Sequence, residues 1–126
     1  MKRRGFTIIE VMIAIVILGI VAASLGRFVG GFLHAVGTST TRTVATSVAQ
    51  EQIERIELDP SYTGLVATYN NVTTTGFPDY PNMTRTTRVT RTTGNNPRRD
   101  YTTVTVQVTE PTLNRPINLT VVVAAP

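Results

Sequence analysis

One carboxylate interrupts the most apolar stretch of the chain. Glu10 lies inside residues 6–25, FTIIEVMIAIVILGIVAASL. An acid at the centre of a membrane helix costs about 2.5–3.5 kcal/mol; the cost falls near an interface, and such acids are usually functional. The plain reading of Glu10 is a carboxylate tolerated near the membrane surface. The sharper reading needs a cation that arrives only on assembly. A new α-amino group, made by cutting the chain just before Phe6, meets that need about four residues away along a neighbouring chain's helix. In a dry helical bundle the pair gains Coulomb energy and relieves two buried charges together.

A second concentration of charge lies further on. Arg85, Arg88, Arg91, Arg98 and Arg99 fall between Tyr80 and Tyr101. Several arginines neutralising phosphates would bind DNA in a salt-sensitive way. Strand alternation, however, puts Arg88 on the face opposite Arg85 and Arg91. Edge protection of an exposed strand and pairing with Glu51, Glu54 or Glu57 of an adjacent subunit are the favoured alternatives.

Catalytic chemistry has little to work with. There is no cysteine and only one histidine, which excludes disulfides, thiolate metal sites, cysteine nucleophiles and histidine pairs. His34 has no acid three or four residues away and reads as a surface or interface residue. Asp59, Asp79, Asp100 and Glu110 are scattered, and no spacing around Asp79 supports calcium. No phosphate-binding glycine loop or nucleophile elbow is present. The triplets at Asn71, Asn82 and Asn118 match the glycosylation pattern, as chance readily produces in a threonine-rich chain. No cofactor is expected.

The net charge of +4 and pI of 10.1 suggest nucleic acid. Yet without Lys2, Arg3 and Arg4, nine basic side chains would face eight acidic ones, a sum of +1. The basic character belongs mostly to the N-terminus, ahead of an apolar run that is about 30 Å long as a helix and enough to cross a bilayer core. Positive charge before the run exceeds that just after it (Arg27), so the N-terminus is expected to stay cytoplasmic, with everything beyond residue 25 outside. A cleaved secretory signal would have a shorter apolar core, and Ala22-Ala23-Ser24 is a poor cleavage site.

No proline interrupts residues 6–59. A long helix is expected, bendable where Gly19, Gly26, Gly30, Gly31, Gly37 and residues 38–41 (TSTT) weaken it. From about residue 43 to 58, Ala45, Val48, Ala49, Gln52, Ile53 and Ile56 form one apolar stripe, with Glu51 and Arg55 set for an i,i+4 pair outside it. Asp59-Pro60 is the expected stop. Threonine and valine then dominate, as in strands. Residues 101–109 alternate with Val104, Val106 and Val108 inward, and residues 117–124 with Ile117, Leu119, Val121 and Val123 inward. Residues 84–93 read as a more polar strand, 65–72 as a further short element, and 76–81 (GFPDYP), 94–97 (GNNP) and 111–116 as loops. Such a sheet buries too little alone, so the helix stripe completes the core.

Lys2-Arg3-Arg4-Gly5-Phe6-Thr7-Ile8-Ile9-Glu10, followed by residues 11–18 (VMIAIVIL), resembles the type IV prepilin signal of pilins and pseudopilins. The resemblance implies a pilin-like α+β fold: a leader at 1–5, a transmembrane and assembly helix at 6–25, its amphipathic continuation at 26–59, and a β-rich extracytoplasmic domain at 60–126 on a small antiparallel sheet. It also implies cleavage after Gly5, N-methylation of Phe6 and assembly through Phe6 and Glu10. The implied partners are other pilin or pseudopilin subunits, a prepilin peptidase and methyltransferase, the inner membrane and its assembly platform. The protein is then a structural subunit and not an enzyme, held first in the membrane and later in a periplasmic or cell-surface filament. Residues 45–54 (ATSVAQEQIE) are similar to V-type minor pilins or I-type pseudopilins of type II secretion. A DNA-binding minor pilin and a monomeric membrane-anchored module remain as alternatives.

Overall fold

A computed structural model describes residues 5–94 and 99–126. Helix α1 (Ile8–Glu57) is followed by a 3-10 turn (Tyr62–Gly64) and a short helix α2 (Leu65–Tyr69). Four strands complete the chain: β1 (Val72–Phe77), β2 (Tyr80–Thr92), β3 (Tyr101–Thr109) and β4 (Ile117–Ala124). They form one antiparallel sheet in the order β1-β2-β3-β4. The chain divides into two compact units between Gly37 and Thr38.

In the first unit the helix exposes its apolar side chains throughout, Ile8, Leu18 and Phe28 among them. It is long and apolar enough to cross a membrane. Helical hydrogen bonding persists through the glycines and the Ser/Thr-rich stretch that follows. Hydroxyls there are absorbed by the helix itself: Ser24 Oγ donates to the Ile20 carbonyl at 2.8 Å and Thr43 Oγ1 to the Ser39 carbonyl at 3.1 Å. Satisfied in this way, serine and threonine cease to compete with the helix.

In the second unit the C-terminal part of α1 covers one sheet face. Ala45, Val48, Ala49, Gln52 and Ile56 are buried, the stripe expected from periodicity with Ile53 at its half-buried margin, and Thr41 extends it one turn further than expected. Alanine at 45 and 49 lets the helix approach the sheet closely. Opposite it lie Met83 and Val89 of β2, Val104, Val106 and Val108 of β3, and Ile117 of β4, closed at one side by Leu65 of α2. The opposite sheet face is mostly threonine, tied across strands by hydroxyl contacts such as Thr105–Thr120 at 3.1 Å.

Three segments differ from the sequence expectation. The segment read as a loop at 76–81 is mostly strand: only Pro78 and Asp79 turn, with Asp79 at φ +63°. Gly76, at φ +77°, sits where the register slips, so that residues 81–83 of β2 stand against it alone. Pro81 is tolerated because this bulge has no β3 partner and needs no ladder N–H from it. The polar strand expected at 84–93 therefore begins at Tyr80 and ends at Thr92. The short element expected at 65–72 is helical to Tyr69, and an unforeseen strand β1 begins at Val72. Residues 95–97 of the expected 94–97 loop lie outside the described residues.

Candidate functional site

Gly5, Phe6 and Thr7 precede the first helical residue. Thr7 caps the helix: its carbonyl accepts from the N–H groups of Glu10 (3.1 Å) and Val11 (3.2 Å), and its hydroxyl also accepts from Glu10 N–H at 3.3 Å. Thr7-x-x-Glu10 is thus the sequence pattern of a capping box, a signal that the charge argument for Glu10 overlooked. The Glu10 carboxylate is also placed at the positive end of the helix dipole.

Glu10 shares one strip of the helix with Phe6, Ala14 and Leu18, flanked by Val11 and Ile15. Phe6 is 83% exposed, and Glu10 is exposed without an ion pair among the described residues. The strip therefore presents one uncompensated carboxylate in an apolar surface, directly beside the residue expected to carry a new amine. The leader cations Lys2, Arg3 and Arg4 lie outside the described residues.

The five arginines are not brought together. Arg85 faces the core and is 6% exposed. Its guanidinium donates to the Val48 carbonyl of α1 at 3.2 Å and lies 5.4 Å from the Phe77 ring centroid. Its Nε has no hydrogen-bond partner. Burial pushes its pKa below the usual arginine value, opposed by the nearby charge of Glu51. A buried cation without a bonded carboxylate is expensive, and a well-packed apolar residue of similar size is often neutral or better. Arg85→Met is therefore expected to leave stability unchanged or raise it, by up to about 4 kcal/mol. A lower thermal midpoint would show that the Val48 and Phe77 contacts outweigh desolvation.

Arg91 faces the same side and is also engaged. It forms a fork with Asp100, Nε to Oδ1 at 2.9 Å and NH2 to Oδ2 at 2.6 Å, and lies 5.1 Å from the Tyr62 ring centroid. Tyr62 Oη donates to Asp100 Oδ1 at 3.0 Å, so one carboxylate joins the turn after α1 to β2 and the start of β3. The Arg91 hydrogen bonds, then that from Tyr62, hold the Asp100 pKa below the ordinary aspartate value of 3.8. A depressed folded-state pKa contributes stability above the unfolded value and loses it as pH falls through the folded one. Thermal midpoints measured downward from about pH 4 should drop more steeply in the parent than in Asp100→Asn. Parallel curves would count against this linkage.

Arg88 is exposed on the opposite, threonine-rich face, among Thr86, Thr105, Gln107 and Asn118. Arg99 is exposed beyond β2, and Arg98 lies outside the described residues. Of the acids read as alternatives for pairing with these arginines across subunits, Glu51, Glu54 and Glu57, the first has an internal competitor: Glu51 is bonded to Arg55 at 3.2 Å, the i,i+4 pair read from sequence. At about 60% exposure such a pair contributes under about 1 kcal/mol. A further contact gave no sequence signal: Asn70 Oδ1 accepts from Val89 N–H at 3.1 Å, where β1 no longer pairs with β2. Asp79 is a turn residue, and no group of three metal-ligating side chains occurs among the described residues.

No curated protein and no solved structure matches the chain. Residues 1–26 match the family described as the prokaryotic N-terminal methylation motif. The matched residues hold the basic leader, the Gly5-Phe6 step, Glu10 and the apolar run. The chain thus carries a type IV pilin-like prepilin signal, joined to a long helix that packs on a four-stranded antiparallel sheet.

Proposed function

We propose that this protein is the precursor of a structural subunit of a type IV pilus-like filament. It is cut after Gly5, N-methylated on Phe6 and polymerised through the helix that follows. The observation that carries this reading is the coincidence of the methylation motif with a fully exposed apolar helix bearing the lone carboxylate Glu10. An apolar helix with no partner in its own fold requires lipid before assembly and other subunits after it. The new amine of Phe6 then supplies the charge that Glu10 lacks.

In this reading the precursor spans the inner membrane with Lys2, Arg3 and Arg4 in the cytoplasm and the sheet outside. A prepilin peptidase and methyltransferase process it, and an assembly platform draws it into a homo- or hetero-polymer in the periplasm or at the cell surface. A DNA-binding role has little support from the arginines, since Arg85 and Arg91 are committed inside the fold. Intact-mass and N-terminal peptide mass spectrometry on protein from native membranes tests the proposal. A chain beginning at N-methylated Phe6 is expected. One that keeps residues 1–5 would reduce the protein to a membrane-anchored β-rich module.

A further inference from the structure

The sheet ends in two open edges. Among the described residues β4 pairs only with β3, and β1 only with β2. Each edge therefore offers a row of backbone N–H and C=O groups to a further strand. Proteins usually blunt such edges with charge, proline or a bulge. Residues 117–124 (INLTVVVA) have no charge and no proline, and they pair with β3 without a slip along the whole strand. Residues 72–77 (VTTTGF) also lack charge and proline, and their one slip, at Gly76, leaves 72–75 regular.

The two edges match in chemistry and in direction. On the face covered by α1, Val104, Val106 and Val108 of β3 are buried, but Leu119, Val121 and Val123 of β4 are only half-buried. Val72, on the same face of β1, is 40% exposed. On the opposite face both edges carry threonines in cross-strand hydroxyl contact, Thr120 with Thr105 at 3.1 Å and Thr73 with Thr86 at 3.4 Å. Four antiparallel strands in chain order make β1 and β4 run in opposite directions. Copies that all point the same way thus bring β4 of one beside β1 of the next in the antiparallel geometry, the more stable pairing. Full overlap sets Val121 and Val123 beside Thr74 and Val72 on one face, and Thr120 and Val122 beside Thr75 and Thr73 on the other. A β4–β4 pair about a two-fold axis reverses one copy against the other, which subunits inserted in one membrane do not allow.

We propose that β4 of one copy adds antiparallel to β1 of a second copy of this chain, so that the sheets of neighbouring subunits join edge to edge. The inference rests on the filament reading above, which supplies copies in one orientation, and it concerns the β-rich domain and not the apolar helix. Because the two edges differ, the contact is heterologous, and it passes from copy to copy without end wherever the rotation does not close a ring. The competing occupant of either edge is an extended segment of another protein.

The absence of cysteine allows a direct test. Three full-length double variants bracket the register: Thr120→Cys with Thr75→Cys, Thr120→Cys with Thr73→Cys, and Val122→Cys with Thr75→Cys. All four positions are exposed. In one chain β1 and β4 lie three strand spacings apart, about 14 Å, beyond the roughly 7 Å that a disulfide bridges, so a bond within one copy is excluded. Oxidation of sheared filaments should give dimers, trimers and higher species in at least one double variant and none in the single variants. Filaments that yield only monomers in all three double variants overturn the inference and leave the filament reading intact. Dimers from Thr120→Cys alone would indicate a symmetric β4–β4 seam and also overturn it. Where a cysteine pair blocks assembly, the parent protein decides: amide exchange over residues 72–75 and 118–123 should slow by at least about tenfold from detergent-solubilised monomer to filament. Unchanged exchange there overturns the inference. A chain that keeps residues 1–5 and forms no filament removes the filament reading, and this interface with it.

Discussion

Glu10→Ala is expected to lower the yield of shearable filament by about two to four orders of magnitude. Membrane insertion and the start at Phe6 should persist. Removing one partner of a buried, desolvated ion pair costs about 3–5 kcal/mol, because the other charge is left stranded. In the proposed filament that other charge would be the Phe6 amine of a neighbouring copy. Capping offers a rival explanation, since Thr7-x-x-Glu10 places the carboxylate at the helix start, where such groups contribute about 0.3–1 kcal/mol. Glu10→Gln separates the two readings. It keeps a side chain of capping-box type and removes the charge, so the ion-pair account predicts a loss like that of alanine and the capping account predicts near-normal filament. Immunoblots of sheared and membrane fractions provide the measurement. Full assembly of Glu10→Ala would leave the carboxylate a local role only.

The largest effect on the folded domain is expected at Ile56. Its side chain has no exposed surface and belongs to the core cluster that includes Met83, Val106 and Leu65. It is also the last buried residue of α1, one position before the helix ends at Glu57. Truncation to alanine removes three carbons' worth of transfer energy and leaves a cavity that strands cannot readily close. A loss of about 2–5 kcal/mol is expected from such sites. Ile53→Ala, at the half-buried margin of the same stripe, should cost clearly less. Thermal or urea unfolding of the full chain in detergent, followed by the near-ultraviolet signal of its tyrosines, compares them. Equal losses would mean that the helix does not dock on the sheet through this stripe.

Much of this molecule is local and was therefore readable in the chain. A run long and apolar enough to cross a bilayer is recognised by composition alone, and residues 6–25 have that composition. Periodicity gave the docking stripe at Ala45, Val48, Ala49, Gln52 and Ile56, and alternation gave the inward faces of β3 and β4, because each is a property of one element seen alone. The segment from Gly76 to Pro81 misled for the same reason. Two prolines and a glycine mark a loop by propensity, whereas pairing across the hairpin decided that only Pro78 and Asp79 turn and that Pro81 sits in a bulge. The arginines show the limit most clearly. In sequence Arg85, Arg88 and Arg91 are three like charges on one strand, and alternation alone separates Arg88 from the others. Only tertiary packing could place a helix carbonyl and an aromatic ring beside Arg85, and Asp100 and Tyr62 beside Arg91. Those partners lie on other elements, from eight residues away (Phe77) to 37 (Val48), and no spacing rule within one segment can anticipate them.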